Sequence, residues 1–108
     1  MSSDIPAGIT IEPVFFVEAR YSPDAAEKRP AVRPGHLTRI ATLRAEGTII
    51  EAGAFSDQLT SSILLVRAQN AEEALAIARA DVYAAAGVWD EITARPFGRV
   101  VPDTSEPA

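Results

Sequence analysis

The 108-residue chain carries 10 basic and 15 acidic residues, one histidine and no cysteine, and 47% of it is hydrophobic. This length suits one domain with one core, and no apolar run approaches the roughly 18 residues of a membrane span. A net charge of −5 argues against binding to nucleic acid, and the lack of cysteine excludes disulfides, thiolate metal sites and cysteine nucleophiles.

The domain is expected at residues 9–101, between flexible tails at residues 1–8 and 102–108 that mix small, polar and proline residues. The first eight residues have neither the basic start nor the apolar stretch of a secretory signal. Together with the lack of cysteine, this predicts a cytoplasmic protein that does not enter a membrane.

The first predicted strand covers residues 13–21, where β-branched and aromatic residues are concentrated. Pro30 and Pro34 then predict a break in the chain. A helix is predicted at residues 34–46, because apolar residues recur there at helical spacing and Gly47 is a typical C-terminal stop.

Two further strands are predicted at residues 48–55 and 62–67, and their succession favours an antiparallel hairpin. Asn70, followed three residues later by Glu73, has the form of a capping box. The helix that it begins is predicted to end near Gly87, and its apolar stripe comprises Ala71, Ala74, Leu75, Ala78 and Val82.

The last predicted strand covers residues 91–101, and Pro96 within it indicates an edge position because proline cannot donate to a ladder. The resulting βαββαβ order predicts an α+β, ferredoxin-like fold, a four-stranded antiparallel sheet with two helices on one face. The other face would expose an apolar patch around Val14, Phe16 and alternate residues of 63–66. We therefore expect a homodimer that pairs through this helix-free sheet face.

Basic residues are concentrated between positions 20 and 44, which hold six of the ten cations and only two carboxylates. The pattern has two interpretations. A solvated helix face is favoured because charge runs are usually that, and attraction of a small anionic ligand is the alternative.

The predicted topology brings the start of the first helix to the end of the second. His36 would lie in the first turn of the former and Asp81 in the last turns of the latter, with Arg33 beside His36 and Arg39 pointing elsewhere. Asp81 would be disfavoured by the helix dipole and by desolvation, so a protonated His36 or Arg33 is expected to compensate it. Such a pair could serve acid–base catalysis or only fix helix packing, and the residues alone leave both open.

Other chemistry has weak support in the sequence. One histidine and scattered carboxylates do not make a metal shell, and no phosphate- or dinucleotide-binding motif is present, so no cofactor is expected. By residue type, Tyr83 and Trp89 are expected to be core or interface aromatics.

Residues 13–101 resemble the YciI-like (YCII-related) family of the dimeric α/β-barrel group. The resemblance rests on Arg33-Pro-Gly-His36-Leu37, Glu51-Ala-Gly-Ala54, Asn70-Ala-Glu-Glu-Ala74 and Asp81-Val82-Tyr83. The chain departs from the family pattern at two positions. Val82 stands where the family usually has the proline of Asp-Pro-Tyr, and Ala54 stands where it usually has the proline of Gly-Pro.

The resemblance implies a ferredoxin-like homodimer with a His36–Asp81 active site. Arg33 and Tyr83 are expected to contact the substrate, without a cofactor. One family relative is linked to dehydrochlorination of a chlorinated hydroxyquinol. The leading hypothesis is a lyase or isomerase that moves a proton on a small anionic organic molecule. A noncatalytic ligand-binding or dimerisation module is the main alternative, and a cofactor-free monooxygenase is a third.

Overall fold

The computed structural model describes residues 4–102 as four strands and three helices. In chain order these are β1 (Ile9–Tyr21), α1 (Ala25–Ala45), β2 (Ile49–Ala54), β3 (Ser61–Val66), α2 (Ala71–Arg79), α3 (Val82–Ala85) and β4 (Trp89–Pro102). The architecture is the expected α+β, ferredoxin-like arrangement, with α3 as an additional single turn of helix.

The sheet is antiparallel throughout, and its strand order is β2-β3-β1-β4. β4 lies at an edge, as Pro96 predicts, and pairs with β1 from Trp89 to Pro102. Pro102 therefore belongs to a strand and not to a tail. The remaining predicted tail residues 1–3 and 103–108 lie outside the described part of the chain.

The core lies between the helices and one face of the sheet. Alternate residues of β1 and β3 form the sheet side of this core. They include Val17, Ala19, Leu64 and Val66, each at most 3% exposed. Successive side chains of a strand lie on opposite faces of the sheet, so these alternate residues all point to the face that the helices cover.

The opposite face of the sheet, which we call the helix-free face, is centred on Val14, Phe16, Ile63, Leu65 and Phe97. Phe16 packs against Phe97 with ring centroids 6.0 Å apart, and the Arg95 guanidinium lies over the Phe16 ring at 5.8 Å. Phe16, Ile63 and Leu65 are half-buried. Val14, expected in the exposed patch, is instead 1% exposed.

The first helix begins nine residues earlier than predicted, at Ala25 instead of Pro34, and continues through both prolines. The predicted break is therefore wrong. Pro30 and Pro34 are four residues apart and exposed, so they share one solvent-facing side of α1 where the carbonyls that lose a partner can bind water.

The second predicted helix is in fact two. Asn70 caps α2 by accepting from the Glu73 amide at 2.8 Å, whereas the Glu73 carboxylate accepts from Gln69, one residue earlier than a capping box requires. α2 ends at Arg79, and α3 begins at Val82. Val82, predicted within the apolar stripe, is 38% exposed as a result.

In the described part of the chain, no helix combines the length and the apolar character that crossing a membrane requires.

Candidate active site

His36 and Asp81 meet between α1 and the start of α3. Nδ1 of His36 lies 2.7 Å from Oδ1 of Asp81. His36 is 8% exposed and lies in the middle of α1, not in its first turn, because the helix begins at Ala25. The pair joins two elements that are far apart in sequence.

Asp81 is the N-cap of α3 and not part of the last turn of α2. Its Oδ1 accepts from the Tyr83 amide at 2.9 Å, and its Oδ2 accepts from Arg39 Nη1 at 3.1 Å. The helix dipole therefore favours this carboxylate instead of opposing it, which reverses the expectation from sequence.

The electrostatic balance at Asp81 favours the carboxylate. Burial alone would raise the pKa of Asp81, but the hydrogen bonds from His36 and the Tyr83 amide, the charge of His36 and the hydrogen bond from Arg39 together lower it. With Asp81 1% exposed, this carboxylate is a fixed negative group inside the protein.

Two aromatic rings hold the His36 imidazole in place. The Tyr83 ring stacks on it with centroids 3.7 Å apart and planes 6° apart, and Trp89 meets it edge-on at 5.5 Å. The Tyr83 hydroxyl accepts from Arg29 Nε at 3.2 Å. Burial raises the pKa of Tyr83, with Arg29 opposing the shift, so the phenol is held protonated.

The second ring nitrogen of His36 is open. Since the Asp81 carboxylate accepts at Nδ1, neutral His36 carries its proton there and leaves a lone pair on Nε2. Nε2 has no hydrogen-bond partner within residues 4–102, and no buried side-chain nitrogen or oxygen in that range lacks a partner, so Nε2 reaches open space.

That space is a cavity of about 490 Å³ between α1, the sheet and the β2–β3 loop. His36, Tyr83, Arg29 and Arg33 line it together with Tyr21 and Ser62. The exposed Arg33 forms no ion pair with any of the described residues and does not contact Asp81. The structure thus places all four predicted site residues together, with Arg33 at the cavity wall and not against the carboxylate.

Arg39 is the arginine that pairs with Asp81, where the sequence predicted that His36 or Arg33 would compensate the carboxylate. It donates to the Asp81 carboxylate and to the Ile77 carbonyl at 2.8 Å, so the expectation that it points elsewhere is wrong. Spacing alone did not distinguish the two arginines, because Arg33 and Arg39 each lie three residues from His36 on the helix.

The N-cap role of Asp81 did have a signal. In the family pattern Asp-Pro-Tyr, proline would stand directly after the aspartate, and proline is typical of the first position of a helix. Val82 in this chain removes that mark, while Asp81 retains the capping bond.

Within residues 4–102, no three histidine or acidic side chains are grouped so that they could hold an ion.

A family model, described as the YCII-related domain, matches residues 14–98. The chain belongs to this family. Protein YciI of Escherichia coli is 33% identical over 96 residues, which cover 81% of this chain and 98% of that protein, and the Shigella flexneri protein of the same name matches equally well. An uncharacterized protein of Haemophilus influenzae is 33% identical over 95 residues, 80% of this chain and 97% of its own.

The YCII-related fold is also found in a solved structure. The 5-chloro-2-hydroxyhydroquinone dehydrochlorinase from Burkholderia phenoliruptrix, in complex with 2,5-dihydroxybenzoquinone, superimposes with a TM-score of 0.66. The match covers 78% of this chain and 92% of that one at 18% identity, and it therefore establishes the shared fold.

Proposed function

We propose that this YCII-related protein is a cofactor-independent lyase or isomerase that transfers a proton on a small anionic organic molecule. The observation that carries the proposal is the state of His36: a buried carboxylate holds Nδ1, and Nε2 opens into a cavity. A histidine oriented in this way has the arrangement of a general base.

Each site residue has a role in this proposal. His36 accepts the proton from substrate at Nε2 and returns it, to another atom in an isomerase or after departure of a leaving group in a lyase. Asp81 orients the ring and stabilises the imidazolium that forms. Arg33 binds the negative group of the substrate and Tyr83 fixes the ring plane and contacts substrate through its hydroxyl.

The dehydrochlorinase among the structural neighbours supports this class of reaction, since loss of chloride from a ring begins with movement of a proton and an electron pair. Chlorinated hydroxyquinols and enolisable acids are accordingly the first substrates to test. A homodimer joined through the helix-free face and a cytoplasmic location belong to the same proposal.

The noncatalytic alternative also has an observation in its favour. All three side-chain hydrogen bonds of Asp81 support the fold: those from His36 and Arg39 join α1 to the start of α3, and the one from the Tyr83 amide caps α3. The His36–Asp81 pair would then hold the helices together in a ligand-binding module that consumes nothing.

The test is a screen of lactones, chlorinated phenols and enolisable acids against the wild-type protein and the His36→Gln variant. Glutamine retains hydrogen bonding but cannot carry the proton, so we expect a preserved fold and a loss of turnover of at least about a hundredfold. Equal consumption of substrate by both proteins would exclude the general base.

Arg33→Ala in the same screen should raise KM for an anionic substrate more than it lowers kcat. The expected loss of binding free energy is about 1.5 to 3 kcal/mol, because a hydrogen bond to a charged group is removed. Arg44→Ala is the matched control, because Arg44 lies on the same helix and, among residues 4–102, pairs only with the exposed Glu51 at 3.3 Å. It should leave KM unchanged.

A further inference from the structure

Ser62, Tyr21 and Trp89 form a buried hydrogen-bonded cluster beside His36. Ser62 Oγ lies 2.8 Å from the Tyr21 hydroxyl and 3.3 Å from Trp89 Nε1. The three residues are between 4% and 6% exposed. Trp89 is also the ring that meets His36 edge-on, so the cluster is one side chain away from the imidazole.

The cluster is connected to the cavity as well. Ser62 lies opposite Ala19 on the helix-covered face of the sheet, and both Ser62 and Tyr21 line the cavity into which His36 opens. No nucleophile motif surrounds Ser62 in the sequence, so its place in the cavity emerges only from the fold.

The cluster contains one more hydroxyl proton than it has hydrogen bonds to place it in. Trp89 Nε1 only donates, so it occupies a lone pair of Ser62 Oγ, and a single further bond joins the two hydroxyls. If Tyr21 donates, the Ser62 proton is free, and if Ser62 donates, the Tyr21 proton is free. In both cases one hydroxyl proton finds no acceptor within residues 4–102.

The rest of the cavity wall near His36 is also rich in donors. The Tyr83 hydroxyl accepts from Arg29 and keeps its own proton, and the Arg29 guanidinium lies 5.6 Å from the centre of the Tyr21 ring. Arg33 adds a second cation, whereas Asp57, the carboxylate among the lining residues, is exposed on the β2–β3 loop. A ligand that fits these groups presents acceptor oxygens to them and a proton to His36.

We propose that Ser62 and Tyr21 form an oxyanion subsite, whose free hydroxyl proton binds the substrate oxygen on which negative charge develops. This inference rests on the proposed function and specifies its substrate class as a compound with a carbonyl oxygen conjugated to the group that loses the proton.

In the step at this subsite, the bond from hydrogen to carbon or oxygen breaks and His36 Nε2 takes the proton. The released electron pair forms a new double bond, and the carbonyl π pair moves to oxygen as the enolate. The hydroxyl then donates to that enolate oxygen, which is a stronger acceptor than the original carbonyl. Donors fixed before the reaction stabilise such charge without reorganising.

The test measures binding of 4-nitrophenolate by isothermal titration calorimetry, at a pH above the pKa of 4-nitrophenol. The control ligand is 4-nitroanisole, which has the same ring but no oxyanion. We expect the wild-type protein to bind the phenolate more tightly than 4-nitroanisole. The Ser62→Ala/Tyr21→Phe double variant should bind the phenolate at least about tenfold more weakly than the wild type does, because a loss of that size corresponds to the weaker hydrogen bonds made to charged groups. Binding of 4-nitroanisole should be the same in both proteins.

Each single variant should lose less than the double variant, because the remaining hydroxyl still has a proton to donate. Thr42→Val is the matched control, since Thr42 is an exposed hydroxyl on α1 away from the cavity lining, and it should bind both ligands as the wild type does. Circular dichroism and equal 4-nitroanisole binding show that each variant keeps the fold and the cavity.

Three results would overturn the subsite: no preference of the wild type for the phenolate, unchanged phenolate binding in the double variant, or a single substitution as damaging as the double. None of these measurements depends on turnover. The general-base role of His36 is tested separately by the substrate screen, so failure of one proposal is distinguishable from failure of the other.

Discussion

Asp81 contributes to the fold and to the orientation of His36 through the same two oxygens. Its partners are a ring nitrogen, a guanidinium and a backbone amide. All three are hydrogen-bond donors, so the side chain at position 81 must be an acceptor for each of them. A carboxylate is the one side chain of this size that accepts from all three. The site and the stability of the helix pair are therefore coupled.

Replacement of Asp81 by asparagine should lower the free energy of unfolding by about 2 to 3 kcal/mol at neutral pH, because the charge that pairs with Arg39 is lost and an NH₂ group faces a donor. Urea denaturation measures this change. Asp90→Asn is the control, since Asp90 pairs with Arg20 at 2.9 Å on the surface, and it should change stability by less than about 1 kcal/mol. Equal effects of the two substitutions would contradict the structural role of Asp81.

The stability that Asp81 supplies should depend on pH. Its pKa is lowered in the folded protein, so the folded state favours the carboxylate and the contribution is present above the ordinary aspartate pKa of about 3.9. It is lost as the pH drops from there through the lowered value, because in this interval the unfolded chain binds the proton and the folded protein does not. The difference in unfolding free energy between wild type and Asp81→Asn should therefore shrink below about pH 4. A difference that stays constant down to pH 2 would show that the charge of Asp81 is not involved.

At the scale of elements, α1 retains two interior prolines that cost it hydrogen bonds. Alanine at position 34 would restore a bond from its N–H to the Pro30 carbonyl on the exposed side of the helix. A proline inside a helix costs about 3 kcal/mol, and its rigidity in the unfolded chain returns about 1 kcal/mol, so Pro34→Ala should raise the free energy of unfolding by about 2 kcal/mol.

Thermal or urea unfolding checks this prediction, with Pro23→Ala as control. Pro23 precedes α1 and removes no helical hydrogen bond, so its replacement should slightly destabilise the protein through the unfolded chain alone. A loss of stability in Pro34→Ala would mean that the proline ring itself supports the packing of α1.

The strands were predictable because their signals are local: β-branched and aromatic residues are concentrated in β1, β3 is a nearly continuous apolar run, and Pro96 marks β4 as an edge. The helix boundaries were not, because packing decides them. Pro30 and Pro34 are tolerated only since both face solvent, and α2 ends before Asp81 only because its side chain caps α3. The sequence likewise indicated that His36 and Asp81 would lie at one end of the sheet and named His36 or Arg33 as the group that compensates the carboxylate, but it did not indicate Arg39, which packing places there.

At the scale of the whole molecule, the two faces of the sheet carry different chemistry. The helix-covered face contributes Ser62 and Leu64 to the cavity, whereas the helix-free face presents Phe16, Ile63 and Leu65 as half-buried apolar side chains. Charged groups surround that apolar centre, among them Glu12, which accepts from Arg67 at 2.6 Å and from Arg99 at 2.7 Å. An apolar centre with a charged rim is typical of a protein interface.

The proposed homodimer follows from this arrangement, and we expect sedimentation equilibrium to give a dimer at micromolar concentration with an interface of at least about 1,200 Å². Leu65→Glu places a carboxylate between Phe16 and the neighbouring strand at the centre of the helix-free face. Since burying an unpaired charge costs several kcal/mol, this substitution should raise the dimer Kd by about a hundredfold or more. Ala41→Glu, on the exposed side of α1, should leave the Kd unchanged. A wild-type monomer at that concentration would exclude pairing through this face, and an intact Leu65→Glu dimer would place the interface elsewhere on the molecule.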